Sequence, residues 1–129
     1  MSYTIDRAFE GEEFNSVVER TRTALSGKGF GVLTEIDVKA TLKEKIGADV
    51  EDYLILGACN PDMAHKAMEM EPRVGAMLPC NVIVRSIGEG SVEVSAIDPL
   101  ASMAAIDNAE LKTVAGQVRR MLETVVSNI

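Results

Sequence analysis

The stretch from Asp107 to Ile129 constrains the fold more than any other. Leu111, Val114, Ala115, Val118, Met121, Leu122, Val125, Val126 and Ile129 recur at helical spacing without a miss, and mostly polar residues fill the positions between. So long an amphipathic helix must bury one face, against a sheet or against a second subunit. Asp107 with Glu110 three residues on predicts a capping box at its start.

Upstream, the apolar period switches between two and 3.6. Residues 3–9 alternate as a strand, with Tyr3, Ile5 and Phe9 on one side. Residues 12–26 carry a helical stripe of Phe14, Val17, Val18, Thr21 and Leu25. Gly27 and Gly29 stop that helix, because glycine accepts the left-handed conformation that ends helices. Phe30 to Val38 returns to a period of two, placing Phe30, Val32, Ile36 and Val38 on one face, and a short helix over 39–46 follows. Tyr53 to Ala58 is apolar on both faces, which suits a central strand. Asn60 and Pro61 fit the cap and first position of a helix over 62–70, and Pro72 marks its end. Two further strands, 82–87 and 92–97, flank Gly88-Glu89-Gly90 as a hairpin. The pattern predicts an α+β fold, with residues 1–129 as one domain. Its sheet is mostly antiparallel, of about five strands, and helices pack on one face.

Composition removes several functions. The net charge is −7, and lysine and arginine are dispersed, so no nucleic acid and no anionic membrane surface is expected as a partner. Aromatic residues make up only 4% of the chain, too few for a base-stacking platform. No segment approaches the roughly 18 apolar residues of a membrane span. The opening MSYTIDRAFEGEEF has no basic segment followed by an apolar run, so no secretory signal is expected either. These readings place the protein in the cytoplasm, with its thiols reduced. There is no P-loop, no Gly-x-Gly-x-x-Gly and no Gly-x-Ser-x-Gly.

The chemistry-bearing residues gather in GACNPDMAHKAMEMEPRVGAMLPCN, residues 57–81. This stretch holds both cysteines, the single histidine and Met63, Met68, Met70 and Met77 of seven methionines. Cys59 lies where a buried strand gives way to a helix, a place where partial positive charge favours a thiolate. Glu69 lies four residues beyond His65 on the same helical face and can orient it toward Cys59 or Cys80, a Cys–His–acid set for nucleophilic catalysis. The same three residues spell C-x5-H-x14-C, a candidate site for zinc or copper(I), although a structural zinc site wants four ligands at paired spacings. Asn60 and Asn81 each offer a donor and an acceptor beside a thiol and can orient a small polar ligand if they meet. Against all of these stands plain packing. Free cysteine and methionine usually fill apolar cores, and Glu69 reads equally well as a solvated residue. Geometry decides. If the strands ending at Cys59 and starting at Cys80 are antiparallel neighbours, the thiols share one edge of the sheet; if parallel, they lie at opposite ends.

The segments IDVKATLKEKIG (36–47), YLILGACNPDMAHKAM (53–68), VGAMLPCNVIV (74–84) and AIDP (96–99) resemble the bacterial and archaeal family known as domain of unknown function 302. The resemblance covers most of the chain in order. It implies a small single-domain α+β protein that tends to form homodimers, and it names no reaction.

The expectation for function is a homodimeric domain that binds a small molecule or a metal through Cys59, Asn60, His65, Cys80 and Asn81. One alternative is a thiol-dependent enzyme or redox protein using Cys59 or Cys80 with His65 and Glu69. Another is an interaction module whose methionine-rich helix docks a partner. The apolar run Leu100 to Ile106 either closes over a pocket or packs at a dimer seam, and the seam is the expected role.

Overall fold

The structure is a computed structural model that describes residues 2–129. The strands are β1 (Thr4–Glu10), β2 (Gly31–Asp37), β3 (Tyr53–Cys59), β4 (Cys80–Ser86) and β5 (Ser91–Ile97). The helices are α1 (Phe14–Ser26), α2 (Val38–Ile46), α3 (Pro61–Met70), the single turn α4 (Pro99–Ser102) and α5 (Ala109–Ser127). A 3₁₀ helix, Pro72–Met77, follows α3. The sheet has the order β1-β5-β4-β3-β2, and every neighbouring pair is antiparallel.

This order puts β1 and β2 on opposite edges, so α1 must carry the chain across the whole sheet. A helix of 13 residues is about 20 Å long. Four strand spacings come to about 19 Å, so the helix length matches the crossing. α1 packs against β2, β4 and α5, while α5 packs against β1 and β5. Between helices and sheet lies the core, with Leu56, Val82, Val84, Val94, Val17, Leu25, Leu122 and Val125 all buried. Leu54, Val84 and Val94 form one row across the sheet, and Leu56, Val82 and Ala96 form the next. The other sheet face carries no helix from α1 or α5.

Local chemistry fixes the ends of these elements. Arg7, on the helix-covered face of β1, donates from Nη1 to the carbonyls of Val126, Ser127 and Ile129 at 3.1, 2.8 and 3.1 Å. It thereby satisfies the last turn of α5, where unpaired carbonyls concentrate negative charge. The start of α5 departs from the expected capping box: Asn108, not Asp107, is the N-cap. Its Oδ1 accepts from the Leu111 amide at 3.0 Å and its Nδ2 donates to the Met70 carbonyl at 3.2 Å. Asparagine satisfies both needs at once, which aspartate, an acceptor only, could not. α1 ends where expected, at Ser26 with Gly27 as its C-cap; Gly27 itself stays right-handed, and the left-handed turn falls on Gly29 at φ +78°.

A second correction concerns β2. The register shifts between Val32 and Thr34, so that Leu33 is an extra residue in the strand. A bulge inverts the alternation beyond it. Val32 therefore pairs with buried Ala58, whereas Ile36 pairs with Ile55 on the uncovered face and is 47% exposed. Val38 begins α2. No helix among the described residues is long and apolar enough to cross a membrane.

Candidate functional site

Antiparallel pairing of β3 with β4 settles where the thiols lie. Ala58 is the register partner of Cys80, so Cys59 and Cys80 share one edge of the sheet. The connection between them runs out along α3 and returns through the 3₁₀ helix. Beyond that edge, α3, α4 and α5 enclose a small apolar cavity. Cys59, Cys80, Met63 and Met103 line it, together with Ala67, Leu111 and Val118. Its free volume is about 30 Å³, enough for one or two waters and far less than an organic ligand needs.

Both cysteines are free. Cys80 is buried, and its thiol is pushed up from 9.0 to about 11, first by burial and then by the charge of Cys59. Burial disfavours the anion because the surrounding side chains cannot solvate it. Asn60 caps α3, its Oδ1 accepting from the Met63 amide at 3.2 Å, and it also lines the cavity. The helix begins here because Asn60 and Pro61 supply an acceptor and a preset backbone angle.

The other expected site residues lie elsewhere. His65 sits two residues before buried Ala67, about 200° around the helix axis from it, and so faces solvent. Its side chain is 76% exposed and Nδ1 lies 3.5 Å from the Glu69 carboxylate, itself 67% exposed. The expected His65–Glu69 pair therefore exists, but it points away from both thiols. Asn81 is exposed on the uncovered sheet face, paired in register with Gly57, and it does not meet Asn60. Among the described residues no group of three or more His, Cys, Asp or Glu side chains could hold a metal ion. Zinc's usual donor set is thus not assembled among the described residues.

Some site residues were not anticipated. Met103 and Pro99 belong to the run around Leu100 to Ile106, for which the sequence offered closing over a pocket or packing at a dimer seam and favoured the seam. Both are buried and close the cavity from the α4 side. The segment is held there by Asp98, whose Oδ1 caps α4 through the Leu100 amide and whose Oδ2 accepts from Arg119 Nε at 3.0 Å. The available signal was apolar composition beside an Asp-Pro cap.

The match to known proteins is decided by a family model, domain of unknown function DUF302, that covers residues 6–129. The chain belongs to the DUF302 family. A crystal structure of an uncharacterized conserved DUF302 protein from Bacillus stearothermophilus superposes with a TM-score of 0.91. It is 26% identical and covers 99% of this chain and 98% of the other. An uncharacterized protein from Aquifex aeolicus (strain VF5) is 29% identical over 89 residues, 69% of this chain. The matched region spans 56% of that relative's length. The resemblance drawn from the 36–99 segments thus extends over nearly the whole chain, and the family carries no assigned activity.

Proposed function

We propose that this DUF302 domain is a homodimeric binding module whose site is the sulfur-lined cavity at the Cys59–Cys80 edge, and that it does not work as a thiol enzyme. The observation that carries this reading is the setting of Cys80. A nucleophilic cysteine needs a stabilised thiolate or an adjacent base. Cys80 has a thiol raised to about 11, and the single histidine faces solvent across α3. The cavity lining holds no acid or base other than the two thiols. Such a place holds something, and nothing in it drives turnover.

The dimer reading rests on the uncovered sheet face. Ile36, Ile55 and Ile83 form a row across three strands, with Ile97 and Tyr53 beside it. At the centre of this face the charges of Arg85 and Glu93 cancel, Arg85 donating to Glu93 Oε1 through Nε and Nη2 at 3.1 and 2.8 Å, while Asp6 and Glu10 of edge strand β1 stand at its rim. A flat five-strand footprint is on the order of 500 Å². Surface relief and the rim residues Tyr3 and Ile87, both exposed, bring it toward the ~800 Å² per partner of a standard interface. A second copy packed face to face would bury what the helices leave bare.

The test of the binding reading is thiol reactivity. At pH 6 neither cysteine should alkylate faster than a small free thiol. A single thiol reacting far faster would restore the enzyme.

A further inference from the structure

The cavity's ligand can be specified further, and this step rests on the binding reading above. We propose that the cavity takes up one neutral, apolar gas molecule of two heavy atoms, such as dioxygen or carbon monoxide.

Polarity is the first argument. Of the side chains that line the cavity, only Asn60 carries nitrogen or oxygen. Both ends of that amide are engaged elsewhere: Oδ1 accepts from the Met63 amide at 3.2 Å, and Nδ2 donates to the Lys28 carbonyl at 3.4 Å. A buried water needs two to four polar partners, so a space lined in this way stays dry. An ion fares worse. A charge in an apolar enclosure must be neutralised there, and the Cys80 thiol keeps its proton across the neutral range.

Size is the second argument. A free volume of about 30 Å³ leaves out organic molecules, whose pockets begin at about 300 Å³. Close packing would ordinarily fill even so small a space. Here Ala58 of β3, Ala64 and Ala67 of α3 and Ala115 of α5 all stand in the wall. A longer side chain on any of these three elements would close the cavity, and none is present at those four positions. What the space admits is a molecule without charge, without hydrogen-bonding groups to satisfy, and no larger than a pair of atoms. Size and polarity do the selecting, and no bond is formed or broken.

The experiment is methyl-proton relaxation of the reduced full-length chain under several bar of dioxygen, with helium at the same pressure as the control. Paramagnetic relaxation should be several-fold greater at the methyls of Leu111, Val114 and Val118, which line the cavity, than at Val84 and Val94, buried in the core outside it. Ala67→Val and Ala115→Val, which fill the space from α3 and from α5, should each abolish that difference. Either variant suffices if the other does not fold. Met103→Ala, which enlarges the space, should retain it. Carbon monoxide at equal pressure should shift the resonances of the same cavity methyls. Equal relaxation at both sets of methyls in the parent chain, or an enhancement that survives filling by valine, would overturn the proposal. So would a response to one gas and not the other, since size and polarity would then not be what selects. If neither gas enters while both thiols alkylate slowly, the gas is refuted and the binding reading stands. A fast thiol removes the binding reading itself.

Discussion

Alkylation of Cys80 gives the sharpest test because its magnitude follows chiefly from one structural cause, burial, with the charge of Cys59 second. Burial raises the thiol from 9.0 to about 11. At pH 7 the thiolate fraction then falls from about 1 in 100 to about 1 in 10,000. A thiolate of higher pKa is intrinsically more nucleophilic, by roughly tenfold over this range. The chemical deficit against an ordinary thiol is therefore about tenfold, before the helices covering the cavity add their own obstruction. The cleaner signature is the pH profile. In a Cys59→Ser variant, which removes the smaller contribution and leaves burial, the rate with iodoacetamide, followed by intact mass, should climb about tenfold per pH unit and level off only well above pH 9. A plateau below pH 9, or a rate at pH 7 equal to that of a small thiol, would refute the argument. Stability should respond as well. Cys80 is neutral when folded and ionises near 9 when unfolded, so its contribution is complete below pH 9 and disappears as pH rises toward 11. Its size is about 2–3 kcal/mol, and a Cys80→Ala variant should lack that alkaline loss in urea unfolding.

Three further outcomes follow from the fold. Ile83→Lys, placing a charge in the middle of the bare face, should give a folded monomer by sedimentation; a parent chain that is already monomeric would remove the dimer. Arg7→Ala, which strips three hydrogen bonds from the end of α5, should cost about 1 kcal/mol in urea unfolding, with the loss concentrated in amide exchange of the last helical turn. Gly57→Ala should cost about 1–3 kcal/mol, because its new methyl meets the Thr34 hydroxyl and lies 2.8 Å from Pro79 Cγ; adding Thr34→Ala should restore part of that.

The sheet and its helices were legible because each is announced by a period that a single chain reveals. The α5 stripe is buried as spaced from Leu111 to Ile129, with Met121 half-buried, and α3 starts at the Asn-Pro signal. What failed was parity and capping. An extra residue at Leu33 inverts the face of everything after it, and no composition rule marks that position, since Leu33 is as apolar as the residues it displaces. Asn108 outcompeted Asp107 because of a bond to the Met70 carbonyl, a contact 38 positions away that local pattern cannot contain.

The site was half legible for the same reason. Cys59 and Cys80 lie at the same end of the sheet because β3 and β4 are antiparallel, and the sequence could frame that as a choice but not make it. The role of His65 was a question of helix phase. Three and four residues along a helix return to the same side, which is why His65 finds Glu69. Two residues do not, which is why the helix that buries Ala67 must expose His65. Once Ala67 is fixed in the core, no rotation of α3 can turn His65 inward without bringing Ala67 out. The histidine is thus kept from the thiols by the packing that encloses them. Chemistry at Cys80 would therefore proceed without His65, which is the ground on which binding is proposed over turnover.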